Sequence, residues 1–164
     1  MIPVRIAGLA LDARSQPVVI LKPIDEELGH GRILPIWIGG LEAAAIFAGL
    51  EGEAPPRPLT LDLMRSMLES LGAEVERIAV TKIQDGTFYA EITLTTPGGE
   101  RVLDARPSDA IGLSLRTGSV IWVAADVLDE AGIVDEREEE VDEEAEVAAF
   151  SEFLAHVDPE DFQG

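Results

Sequence analysis

The chain is expected to fold as α+β: one compact domain with a mixed, largely antiparallel sheet flanked by helices, followed by an acidic amphipathic C-terminal helix. Three observations predict this. Val75 to Ile83, Phe88 to Thr95 and Arg101 to Ala105 are strand-like runs joined by tight-turn signals, and such short joins require an antiparallel meander. Segments with helical apolar spacing stand on either side of that meander. From Asp135 the composition shifts: residues 135–164 carry 13 acids and one Arg. At 164 residues and 46% hydrophobic, the chain has material for one real core. The expected division is a domain over 1–133 and an acidic linker and helix over 134–164.

The elements follow in order. Ile2, Val4 and Ile6 mark a first strand over 2–11, and Asp12 to Pro17 a turn. Val18-Val19-Ile20-Leu21 is apolar throughout, which predicts a strand buried on both faces. Pro23 to Gly31 reads as a loop, and Arg32 to Ile38 as a third strand closed by Gly39-Gly40. Leu41 to Leu50 predicts a helix with Ala43, Ile46, Phe47 and Leu50 on one face and Glu42 in its first turn. Pro55, Pro56 and Pro58 stiffen the connector beyond it. Thr60 is the expected N-cap of a second helix, with Leu63, Met64, Met67, Leu68 and Leu71 as its core stripe. Asp85-Gly86 centres a hairpin turn. Pro107 suits the first position of a helix that runs to about Arg116. Val120 to Val123 is a short buried strand, Ala125 to Ala131 a short helix, and Val141 to Val157 an amphipathic tail helix before a frayed Asp158 to Asp161.

Composition excludes several functions. The chain has no Cys, so thiolate metal sites and disulfides are absent, and His30 and His156 are too few for a multi-His zinc centre. The net charge of −20 opposes tight nonspecific binding to nucleic acid, which depends on Lys and Arg. It is compatible with a nuclease whose carboxylates hold a divalent ion. No signal-peptide pattern or membrane-length apolar run occurs, so the expected location is the cytoplasm, with no membrane partner.

The densest chemistry lies in Asp104-Ala105-Arg106-Pro107-Ser108-Asp109, where a strand hands over to a helix. Two readings compete. In one, Asp109 satisfies free backbone N–H groups, Ser108 caps or faces solvent, and Arg106 pairs with either Asp, giving a self-satisfied junction. In the other, Asp104 and Asp109 hold Mg²⁺ or Mn²⁺ while Arg106 engages a phosphate. Glu42, Arg57, Thr60 and Asp62 also stand at element ends, where sites tend to form. No Ser-His-Asp pattern, P-loop or dinucleotide fingerprint is present.

Four ordered segments carry a family resemblance. They are Ile33-Leu34-Pro35-Ile36-Trp37-Ile38-Gly39 with Glu42-Ala43, Arg57-Pro58-Leu59-Thr60 with Asp62-Leu63-Met64, Gly86-Thr87-Phe88-Tyr89-Ala90, and Asp104 to Ile111. Residues 2–133 resemble the bifunctional nuclease domain family, and the acidic tail resembles the C-terminal extension of its actinobacterial members. The resemblance implies a compact α+β fold, a nuclease acting on RNA and DNA, and a homo-oligomer, with a dimer favoured. Its matching positions make Glu42, Asp62, Asp104, Arg106 and Asp109 the catalytic candidates. Arg57, Thr60 and Ser108 are the substrate-binding candidates. The family pattern commonly has His between the Thr and Asp of the second segment, where this chain has Leu61. The alternative function is a non-catalytic interaction or small-ligand domain whose acidic tail helix recruits a protein partner.

Overall fold

In the computed structural model, residues 1–52, 54–136 and 143–156 are described, with 143–146 as backbone only. The strands are β1 (Ile2–Leu11), β2 (Pro17–Pro23), β3 (Arg32–Trp37), β4 (Glu74–Gln84), β5 (Thr87–Thr96), β6 (Gly99–Ala105), β7 (Ile121–Val123) and β8 (Ile133–Val134). The helices are α1 (Gly40–Glu51), α2 (Thr60–Ser70), α3 (Pro107–Thr117), α4 (Ala125–Ala131) and α5 (Glu143–Ala155). All eight strands form one sheet in the order β6-β5-β4-β7-β1-β2-β3-β8. Among the described residues only β4 and β7 pair in parallel; the other neighbours are antiparallel. This is the α+β arrangement expected, with β8 as an added short edge strand.

The turn chemistry matches the local sequence. Asp85 and Gly86 both have positive φ (52° and 73°), as a two-residue hairpin twisting with its strands requires. β2 is buried along nearly its whole length, and its one charged residue, Lys22, donates from Nζ to buried Asp135 Oδ2 at 3.0 Å. The core joins Val19, Leu21, Leu34 and Ile36 of β2 and β3 with Ile78, Val80, Ala90 and Ile92 of β4 and β5. Ala43 and Ile46 of α1, Ile111 and Leu113 of α3, and Val127 and Leu128 of α4 complete it.

Helix α2 departs from its expected orientation. Its N-cap is Leu59, and Thr60 is the first helical residue. Asp62 reaches back to accept the Leu59 backbone N–H at 3.0 Å, which completes one arm of a capping box. Leu61 is buried in the core, with Met64 and Leu68 half-buried against it. Leu63, Met67 and Leu71, expected in the core, are instead 51%, 55% and 70% exposed. The apolar positions of this helix extend around more than one side, so spacing alone does not choose the side that packs.

The tail helix is a packed element. Phe150 of α5 is 2% exposed, and its ring centroid lies 5.5 Å from that of Phe47 on α1. Leu154 also packs against the core. The apolar side expected to recruit a partner is therefore used, in large part, by the chain itself. The expected linker beyond Glu136, including Glu138-Glu139-Glu140, and the expected frayed end at Asp158 to Asp161 lie outside the described residues.

Candidate active site

The strand-to-helix corner is built by β6 ending at Ala105 and α3 starting at Pro107, with Arg106 as N-cap in extended conformation. Pro107 fits there because the first helical N–H has no intrahelical acceptor to lose. Arg106 donates from Nε to Asp109 Oδ2 at 2.7 Å and from Nη2 to Asp109 Oδ1 at 3.1 Å. Its Nη1 donates to Glu42 Oε1 at 2.9 Å. One guanidinium thus joins the first turn of α3 to the first turn of α1. The paired hydrogen bonds to Asp109, then its charge, and those of Glu42 after it, raise the Arg106 pKa above its ordinary value. Gly39 sits beside this cluster, and a Cβ there would displace the Glu42 carboxylate, whose Oε2 lies 2.2 Å from that position.

A second ion pair lies farther along α3. Arg116 donates from Nε to Asp62 Oδ1 at 3.3 Å and from Nη1 to the Gly112 carbonyl at 2.9 Å. Asp109 and Arg116 are seven residues apart, so they share one side of α3, roughly 10 Å apart along its axis. Gly49 of α1 faces Leu115 and Arg116, while Glu42 faces Arg106, so α1 and α3 run side by side in one direction. Leu61 of α2 rests on Gly112, where a Cβ would meet its Cδ1 at 2.5 Å. A cavity of about 740 Å³ opens at the Arg116 end, between α1, the proline-rich connector, α2 and α3.

The structure sorts the eight sequence candidates. Arg106, Asp109 and Glu42 come together. Asp62 joins Arg116, a residue that sequence reasoning missed although its spacing from Asp109 was a readable signal. Ser108 is buried in the first turn of α3. Arg57 and Thr60 are exposed and, among the described residues, have no side-chain partner. Asp104 is exposed on β6 opposite Glu91. Ala105 packs toward the core, so strand alternation puts Asp104 on the other face of the sheet. The carboxylate that meets Asp109 around Arg106 is Glu42, from another element, and not Asp104.

Among the described residues, no three His, Cys, Asp or Glu side chains come together as a ready-made metal centre. The donor chemistry of Glu42 and Asp109 still suits a hard divalent ion, since both carboxylates already converge on one cation and Mg²⁺ commonly takes one or two with waters. Position 61, where the family pattern commonly has His, is a core position here: Leu61 packs on Gly112 and does not project into the Arg106 cluster.

Comparison with known proteins places these features in a family. The bifunctional nuclease domain profile matches residues 19–136, which include both ion-pair groups. The chain is 40% identical to the Mycobacterium tuberculosis (strain H37Rv) protein Rv1829, across 98% of this chain and 97% of that protein. It is 29% identical to Bifunctional nuclease 1 of Arabidopsis thaliana and 27% identical to Bifunctional nuclease 2 of Oryza sativa subsp. japonica. Those matches cover 64% of this chain and 32% of each plant protein, so the chain spans about a third of their length. With the profile covering most of the domain, the chain belongs to the bifunctional nuclease domain family.

Proposed function

We propose that this chain hydrolyses phosphodiester bonds of RNA or DNA with the help of Mg²⁺ or Mn²⁺. The observation that carries the reading is Arg106 held between Glu42 and Asp109 at the adjoining first turns of α1 and α3. A guanidinium has five N–H donors, and three are used here. The remaining two stay available on a side chain that is 66% exposed, so Arg106 can engage a phosphate while its carboxylates hold it in place. Glu42 and Asp109 are the residues that would hold the ion. When bound, such an ion neutralises phosphate charge and lowers the pKa of water. Arg106 then faces the equatorial oxygens, where negative charge accumulates during in-line displacement.

The test uses the full chain with single-stranded RNA and plasmid DNA, in Mn²⁺ or in EDTA. The expected result is cleavage in Mn²⁺ only, reduced at least 100-fold by Asp109→Asn and by Arg106→Lys, with circular dichroism unchanged. Cleavage that persists in EDTA, or that survives Asp109→Asn, overturns it. The competing reading is that the cluster only clamps α1 to α3. It is favoured if both variants lower the melting temperature while wild-type protein cleaves nothing.

We also infer that the chain pairs with a second copy through the outer side of α2. Asp62, Arg65, Ser66 and Glu69 of α2 face the cavity, and Leu61, Met64 and Leu68 face the core. Leu63, Met67 and Leu71 form the remaining side at i, i+4 and i+8. Two chains of charge −20 repel, and contact costs least through an uncharged surface. Separately, β6 is an edge strand of the sheet among the described residues, with exposed Val102 and Leu103.

A further inference from the structure

The cavity at the Arg116 end has features that the Arg106 cluster does not account for. Its volume of about 740 Å³ lies in the range of small-ligand sites, roughly 300–1,000 Å³. Phe47, Pro55, Pro56, Pro58, Leu59 and Leu115 give it apolar walls, well suited to a flat ring. Against those walls stands a guanidinium whose side chain is only 8% exposed. Asp62 fixes its Nε and the Gly112 carbonyl fixes its Nη1. Its Nη2 has no hydrogen-bond partner among the described residues, although Arg116 lines the cavity. That nitrogen is not sealed from solvent, so it is a donor open to a ligand in the cavity.

The backbone around this arginine is shaped to admit it. A Cβ at Gly49 would stand 2.6 Å from Arg116 Nη1, and one at Gly112 would strike Leu61. Gly49 therefore leaves room for the guanidinium, and Gly112 for the Leu61 side chain beside it. Such preorganisation goes beyond a surface salt bridge, where long side chains hold a partner loosely.

Charge decides what fits. The cavity is lined by Glu51, Asp62 and Glu69 against Arg65 and Arg116, and Arg65 is already paired with Glu69 at 2.7 Å. An anion would meet an excess of carboxylates. A neutral ring carrying a carbonyl oxygen would find apolar walls and one directed donor.

We propose that this cavity receives one unstacked nucleobase bearing a ring carbonyl, with Arg116 Nη2 donating to that oxygen. The proposal rests on the nuclease reading for the strand to which the base belongs. One or two nucleotides of an extended single strand can bridge the roughly 10 Å along α3 between Asp109 and Arg116. Uracil, thymine, cytosine and guanine carry the oxygen. Adenine carries no ring carbonyl and offers only ring-nitrogen acceptors, so it lacks the oxygen that Arg116 Nη2 is proposed to meet.

The experiment titrates the full chain with uridine and, separately, adenosine, following binding by calorimetry and by amide shifts. The same titrations are made on Arg116→Ala and on Ser66→Trp. Ser66 is an exposed cavity-lining residue, so a Trp there blocks the site without opening the core. The expected result is saturable uridine binding, at least tenfold tighter than adenosine, and lost in both variants. Absent uridine binding, equal binding of the two nucleosides, or binding that survives Ser66→Trp overturns the proposal, even if Arg116→Ala fails to fold. Cleavage of poly(U) and poly(A) separates the two readings. Uridine binding without any cleavage keeps the pocket and removes the nuclease. Equal cleavage of both polymers without uridine binding does the reverse.

Discussion

Arg106 and Asp12 show how a few hydrogen bonds set the character of single residues. Arg106 donates two bonds to one carboxylate and one to another, so losing either partner alters its position and not only its charge. Asp12 works by local capture of donors. Its carboxylate accepts the backbone N–H groups of Gln16 at 2.9 Å and Arg14 at 2.8 Å, and the Trp37 indole N–H at 3.0 Å. These bonds, that from Gln16 first, hold its pKa below the ordinary carboxylate value although it is exposed. A lowered folded pKa means that the stabilisation is present above the unfolded value near 4 and is lost as pH falls through the folded value. In a carboxyl NMR titration Asp12 should therefore titrate below the ordinary aspartate value. The stability gap between wild type and Asp12→Asn should narrow on acidification below pH 4. A midpoint at or above the ordinary aspartate value would contradict this.

Helices α2 and α5 both settle questions of orientation that their sequences left open. α2 directs Leu61, Met64 and Leu68 inward, its polar residues to the cavity, and Leu63, Met67 and Leu71 outward. α5 seats Phe150 between Phe47 and Phe153, with ring centroids 5.5 and 6.1 Å away. A phenylalanine buried this deeply contributes to global stability, so Phe150→Ala should lower the unfolding free energy by about 3 kcal/mol. Urea unfolding of the full chain measures it. A change near zero would mean that α5 is a solvated tail. Phe47 also lines the cavity, so the acidic helix supports one of its walls from behind.

At the scale of the whole molecule, charge and apolar surface oppose one another. The net charge of −20 keeps copies apart, while the outer side of α2 and the edge strand β6 leave large apolar groups in water. Self-association through α2 predicts a dimer by light scattering that becomes a monomer in Met67→Glu, with unchanged circular dichroism. A wild-type monomer at all concentrations, or a dimer indifferent to Met67→Glu, would remove that interface. Among the described residues no helix is long and apolar enough to cross a membrane.

Much of the fold was determined by sequence alone, because it depends on local physics. The strands, the Asp85-Gly86 hairpin, the Pro107 helix start and the glycine-terminated α1 follow from φ preferences and apolar spacing within a few residues. The candidate site was only half legible for the same reason. Arg106 and Asp109 are three residues apart, and their bond is close to what the helix start dictates. Only the tertiary structure decided that Glu42, 64 residues away, completes the cluster in place of Asp104. It also decided that Asp62 turns to Arg116 and that Leu61 is core. Strand alternation sends Asp104 to the opposite face, and the packing of α1 beside α3 brings Glu42 in. Neither the packing of two helices nor the inward side of an apolar helix is a local property, so no reading of spacing alone could select them.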